Sequence, residues 1–218
     1  MIDESLITSH SQSRMKGDER REQILATAIN LFSRNGFRGT TTKEIARAAG
    51  VSEAMVFRHF ETKEALYGAI LDDKDCREDV GRFAWEGNTA LQQAIEACDD
   101  FGVFYNIGVS ALEKHQSNIS FMRLLFYSAL EEHELAARFF SDFVQRVYDF
   151  IGNYIRRRQD EGAFRNTEPR VIVRAFLGML IHHSLNNILW DKERRVLNIS
   201  NEEAAKNFAE ILLQGIKR

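Results

Sequence analysis

From Glu19 onward apolar residues recur at three- and four-residue spacing, with Ile24, Leu25, Ala28, Leu31 and Phe32 on one face, the period of an amphipathic helix. The pattern ends at Asn35-Gly36, where glycine suits a left-handed cap and Phe37 can fold back as its hydrophobic partner. A short second helix is predicted over about 42–49. Thr41 followed three residues later by Glu44 forms a capping box, and Gly50 stops the helix. Ser52 then caps a third helix at about 53–59, and Thr62 caps a fourth running from Lys63 through Leu66 and Ile70. Beyond residue 80 the periods lengthen, predicting helices over roughly 88–115, 118–131, 134–161, 168–190 and 201–217. Breaks fall at Gly87-Asn88, Gln116-Ser117, His133, Gly162 with Pro169, and 198–201.

This texture predicts an all-α protein, with an N-terminal three-helix helix-turn-helix domain and a C-terminal helical bundle. Composition agrees: the 218 residues include one proline and 13 glycines, too few breakers for a loop-rich fold. Residues 1–18, polar and Ser-rich with His10, Ser11, Ser13 and Gly17, look like a mobile arm. The helix-turn-helix domain is expected over 19–66 and the larger helical part over 67–218, which holds most of the phenylalanines and hence the larger core.

Charge sharpens the picture. The net charge is only -3, so the whole molecule is no polyanion-binding surface. Yet basic Arg34, Arg38, Lys43, Arg47, Arg58 and Lys63 outnumber acidic Glu44, Glu53 and Glu61, whereas 72–79 is dominated by acids. A basic element in an acidic protein fits a DNA-facing surface. Cys76 and Cys98 have no metal-ligand spacing, which fits a reducing, cytoplasmic compartment. The N-terminal residues hold no apolar core of a secretory signal, and the apolar stretch 176–181 is too short to span a bilayer, so no membrane association is expected.

The segment 42–60 carries the functional signal. Two short helices that cross tightly need a small residue at their contact, a glycine in the turn and buried aliphatics at fixed steps. Counting from Thr42, Ala46 is the small residue at position five and Gly50 the glycine at nine; Ile45, Val51 and Val56 fill positions four, ten and fifteen.

The run from Arg21 to Asp72 closely resembles the N-terminal domain of the tetracycline-repressor (TetR) family of transcription regulators. The resemblance rests on Ala28, Leu31-Phe32, Asn35-Gly36-Phe37, Thr41-Thr42, Ile45-Ala46, Ala49-Gly50-Val51-Ser52, Phe60, Lys63-Glu64 and Leu66. It covers about a quarter of the chain. It implies a ligand-responsive regulator, a repressor in the first instance and an activator in the alternative. Such a regulator binds double-stranded, palindromic operator DNA as a homodimer, through helices at about 168–190 and 201–217, and is released by a small apolar or aromatic effector. No cofactor and no metal are implied. The DNA-binding set it suggests is Thr41, Thr42, Ser52, Glu53, Ala54, Met55, Phe57, Arg58, His59 and Lys63.

Chemistry gives these residues roles. A recognition helix places its first residues against base edges in the major groove. Arg58 can bind guanine O6 and N7 together or hold a phosphate. Thr42 can offer its hydroxyl and N–H to a phosphate, and Lys63 is placed as a phosphate clamp. Glu53 stands where many relatives carry lysine; it can accept from cytosine N4 or simply favour the helix N-terminus. Phe57 replaces the usual tyrosine and loses its phenolic contact, while Ala54 and Met55 offer apolar contact only. Glu53 and Phe57 keep open a second reading, a small-molecule-binding or scaffold protein that has lost DNA binding.

Catalytic alternatives fail on spacing. His133-Glu134 begins a zinc-protease pattern, but position 137 is alanine. No histidine has a glutamate three residues before it, as a di-iron bundle needs. His182-His183 reads as a packed or interface pair, and Arg156-Arg157-Arg158 as a solvated face near a helix C-terminus. The aromatic residues of the second part are mostly core by spacing, but pockets in bundles are lined in the same way. By the resemblance, Phe101, Phe104, Tyr105, Met122, Phe126, Tyr127, Phe143 and Tyr148 are the expected effector-lining set.

Overall fold

The computed structural model describes residues 5–72, 83 and 85–218, with side chains from Gly17 onward. The protein is all-α. Helix α1 spans Ser5–Asn35, α2 Thr42–Ala48, α3 Glu53–His59 and α4 Lys63–Gly68. The later helices are α5 Thr89–Glu96, α6 Asp100–Ser117, α7 Ile119–Leu130 and α8 Glu134–Phe139. A π-helical turn, Phe140–Val144, joins α8 to α9, Gln145–Asp160. Helix α10 covers Pro169–Leu185 and runs into a second π-turn, Asn186–Trp190, before α11, Asn201–Ile216.

Two of these boundaries depart from the sequence pattern. The backbone is helical from Ser5, well before Glu19; no proline interrupts the segment read as an arm, and its lone Gly17 is tolerated within a helix. Its first four residues, and its side chains through Lys16, lie outside the described residues, as do Cys76 and most of the acidic segment 72–79. The helix predicted over 88–115 is two helices. Cys98 takes a left-handed conformation (φ 54°), and Asp99 caps α6 by accepting the Gly102 N–H at 3.0 Å. A side chain at position 102 would crowd that carboxylate, which explains the glycine.

The chain forms two bodies, residues 1–76 with 120–138 and residues 77–119 with 139–218. In the first, Ile24, Leu25, Ala28 and Phe32 of α1 are buried, as are Ile45, Val56, Leu66 and Tyr67 from the following helices. Residues 120–138 add Phe121, Leu124 and Leu135 to the buried set. The second body is built around Phe104, Phe164, Phe176, Ile151 and Leu180. Here α6 and α11 approach closely, because a methyl group at Gly108 would sit 3.1 Å from the Ala205 Cβ.

The second body also holds a buried ion pair. Asp100 accepts from Arg158 Nε at 2.8 Å and from the Tyr154 hydroxyl at 2.7 Å. Burial, with the carboxylate beside it, raises the Tyr154 pKa. The bond to Asp100 raises that of Arg158, so both stay protonated. Arg158 therefore departs from the solvated-face reading of 156–158. Arg156 and Arg157 stay exposed, as that reading has it, with Arg157 donating to the Ile95 carbonyl at 2.8 Å near the end of α5.

Candidate nucleic-acid interface

Helix α2 is fixed at both ends. The Thr41 hydroxyl accepts the Glu44 N–H at 3.2 Å, and the Glu44 carboxylate accepts the Thr41 N–H at 2.9 Å. The Thr41 N–H first, and then the Thr41 hydroxyl donating to the same carboxylate oxygen at 2.9 Å, hold the Glu44 carboxyl below its usual range. At the other end Gly50 adopts φ 66°. Its N–H donates to Arg47 O at 3.3 Å, and Val51 N–H to Ala46 O at 2.9 Å. This pair of bonds closes a helix in a left-handed turn and throws the chain sharply into the next one. Gln23 of α1 reaches over to donate to the Ala49 carbonyl at 3.2 Å. Ser52 and Thr62 then cap α3 and α4, accepting from Met55 N–H at 3.2 Å and Ala65 N–H at 3.0 Å.

The turn leaves one face of α3 in solvent. Val56 is buried, Met55 and His59 are half-buried, and Glu53, Ala54, Phe57 and Arg58 are exposed. Phe57 has 44% of its surface in water, unusual for a phenylalanine anchored in a rigid helix. Burial and the nearby Arg58, Arg21 and Arg20 lower the His59 pKa, which favours the neutral ring. Thr41 and Ser52 are exposed and Thr42 is half-buried.

Two side chains have partners that the sequence pattern does not announce. The Thr42 hydroxyl donates to Glu53 Oε1 at 2.5 Å, linking the first residues of α2 and α3. The Lys63 ammonium lies 4.1 Å from the centroid of the Phe37 ring, so it is held by a cation–π contact. Thr42 and Glu53 are eleven residues apart, a spacing set by the turn geometry and by no helical period.

The family described as bacterial regulatory proteins, tetR family, matches residues 24–70, the segment that builds this helix-turn-helix. The chain thus carries a segment that matches the helix-turn-helix domain of the tetR family. Over 196 residues it is 22% identical to the HTH-type transcriptional regulator YvkB of Bacillus subtilis (strain 168), covering 89% of this chain and 96% of that protein. Among solved structures, AibR in complex with isovaleryl coenzyme A and operator DNA superposes with a TM-score of 0.64 at 21% identity, covering 89% of this chain and 98% of that one. NalD, the secondary repressor of the MexAB-OprM multidrug efflux pump in Pseudomonas aeruginosa, does so with a TM-score of 0.63 at 22% identity, covering 93% and 98%.

The expected effector-lining residues divide between the two bodies. Met122, Phe126 and Tyr127 belong to the first, where the Tyr127 hydroxyl donates to the Arg34 carbonyl at 3.1 Å. Phe101, Phe104, Tyr105, Phe143 and Tyr148 belong to the second. Phe104 is fully buried and meets Phe176 edge-on at 5.1 Å, as a core residue does. Phe101 stacks on Tyr105 at 5.7 Å, and the Tyr148 hydroxyl accepts from Arg174 Nε at 3.3 Å.

Phe143 is part of a longer stack. It lies 4.7 Å from Phe83, which stacks on Trp85 at 4.4 Å, and Trp85 on Phe150 at 4.0 Å. The Arg146 guanidinium caps the Phe83 ring at 4.1 Å. Phe83 and Trp85 precede the helices predicted from the sequence and so are absent from the sequence-based set, whereas Phe150 lies seven residues after Phe143 in the predicted helix over 134–161, a spacing that could have found it.

Two histidines add polar points to the same body. His115 Nδ1 is 2.8 Å from the Ser184 hydroxyl, and burial pushes its pKa down to about 4. His183 is buried beside Phe208 and Asn187, with its pKa also lowered by burial, whereas His182 is exposed.

Proposed function

We propose that this protein is a ligand-responsive transcriptional repressor that occupies a palindromic operator as a homodimer. The observation that carries the reading is the exposed face of α3, held rigidly from behind by Val56 and Phe60. A recognition helix enters the major groove with this kind of face outward. The DNA-contacting set is Thr41, Thr42, Ser52, Glu53, Ala54, Met55, Phe57, Arg58, His59 and Lys63. Residues 19–66 form the reading domain, and 67–218 carry dimerisation and effector binding.

Helices α10 and α11 pair the two copies. Val171, Ile181 and Ile211 on these helices are exposed, and burying them between two copies removes them from water. AibR, crystallised with an acyl coenzyme A and operator DNA, and NalD, a named repressor, support both halves of the reading. The effector is a small apolar or aromatic molecule bound in the second body, among a subset of the eight expected residues. Linkage requires an effector that prefers the DNA-free state to lower DNA affinity by the same coupling free energy. Among the described residues no helix is long and apolar enough to cross a membrane, and the protein acts in the cytoplasm, as a regulator and not as an enzyme.

Two substitutions test the assignment. Arg58→Ala relaxes sequence preference, costing about 1–3 kcal/mol on the cognate site. Lys63→Ala weakens all sequences alike and lowers the salt slope by about one. The opposite pattern overturns the roles of these two residues. Equal binding of all duplexes by the unaltered protein overturns the repressor reading itself.

A further inference from the structure

The geometry points to Glu53 as a specificity-determining residue that selects a cytosine in each half of the operator, with Thr42 as its positioning residue. This rests on the DNA-binding reading above and adds a particular base to it.

Glu53 is not needed to cap α3, because Ser52 already does so. Its carboxylate instead spans the turn, with Oε1 accepting the Thr42 hydroxyl at 2.5 Å. That bond fixes the direction of an exposed side chain at the leading end of the recognition helix. It occupies one oxygen and leaves acceptor capacity on Oε2.

An ionised carboxylate can only accept hydrogen bonds. In the major groove, guanine presents O6 and N7 and thymine presents O4, all acceptors that repel it. Adenine offers the N6 amino group, but with the N7 acceptor beside it. Cytosine presents its N4 amino group as its only polar atom there. It is therefore the base whose edge a fixed carboxylate accepts from without an opposing acceptor. A carboxylate brought toward phosphates opposes non-specific association, so its presence on this face favours discrimination over affinity.

The test is selection from duplexes randomised across the operator half-sites, using the full-length unaltered protein and Glu53→Ala, Glu53→Gln, Thr42→Val and Thr42→Ser. The unaltered protein is expected to fix a cytosine at one position of each half-site, by roughly tenfold or more. Glu53→Ala loses the preference there and keeps the others. Glu53→Gln moves it to adenine, because an amide can donate to N7 while accepting from N6. Thr42→Val weakens the cytosine preference and Thr42→Ser restores it. If Glu53→Ala selects the same base at every position as the unaltered protein, the inference is overturned. Selection of no sequence at all by the unaltered protein overturns the DNA-binding reading beneath it, a separate outcome.

Discussion

The carboxylate of Glu131 accepts the backbone N–H of Phe37 at 2.8 Å; its other oxygen accepts from Arg38 N–H at 3.2 Å. The two partners are 94 residues apart in the chain, and the contact fixes the loop that leads into α2. The same segment adds Arg123 Nε donating to Ser33 O at 3.1 Å and His133 packed 4.6 Å from both Phe37 and Tyr67. Residues 120–138 are thus bolted to the reading domain, and Phe37 carries the Lys63 ammonium on its ring. Glu131→Ala leaves two N–H groups without their acceptor and should cost about 1–3 kcal/mol in urea denaturation. It should also weaken DNA binding in the unaltered background but much less in a Lys63→Ala background. Additive losses in that cycle would show that Phe37 does not transmit the effect to Lys63.

Gly36 and Gly50 both have positive φ, at 73° and 66°, but their surroundings differ. A methyl group at Gly36 would sit 2.7 Å from Glu131 Oε1, whereas nothing lies within 4 Å at Gly50. Gly50→Ala should cost only the left-handed backbone penalty, about 1–2 kcal/mol. Gly36→Ala adds displacement of the Glu131 clamp and should be the more damaging of the two. Thermal unfolding of the pair measures the order, and equal losses would contradict it.

The Asp100–Arg158 pair is 5% and 15% exposed, which places it beyond most solvent screening. Asp100→Ala takes the buried acceptor from both Arg158 and Tyr154 and leaves Arg158 only its outer partner Glu161, so it should cost about 3 kcal/mol, the low end for a broken buried pair. Arg158→Met, which removes the other charge and keeps the stem's packing, should restore part of the loss in the double variant. Denaturation at low and high salt should give the same difference; a loss that vanishes in salt would mean the pair is a surface one.

His115 makes stability depend on pH. Its pKa falls from 6.5 to about 4 through burial, so the folded protein holds the ring neutral where the unfolded chain already binds a proton. The contribution is complete above about pH 6.5. It is lost progressively as the pH falls toward the folded value and levels off below it, a difference of order 3 kcal/mol. His115→Gln should flatten the acid side of the stability profile, to which His183 and His59 add in the same direction. An unchanged slope in this variant would place the titration elsewhere.

The turn at Ala49–Ser52 was legible in the sequence because each of its requirements is local. A small residue, a glycine, three aliphatics and a capping box sit within one short segment; the structure buries Ile45, Ala46 and Val56, leaves Val51 half-buried, and gives Gly50 its positive φ. The break after α5 was hidden because its left-handed position is occupied by Cys98 and not by glycine or asparagine, the residues that announce such turns. The Thr42–Glu53 bond, the Glu131 clamp and the Arg158 ion pair are tertiary contacts, which no periodic pattern encodes. The same holds for the Phe83–Trp85–Phe150 stack, assembled from residues that share no helical row.

The central claim is that α2 and α3 present a sequence-reading face to duplex DNA. Titrating a labelled duplex from upstream of the protein's own gene against a scrambled duplex, over roughly 50–200 mM salt, tests it most directly. The account predicts that log K falls linearly with log salt for both duplexes, with the upstream duplex favoured by about a thousandfold or more throughout. Equal affinity for the two duplexes at every salt concentration would contradict it.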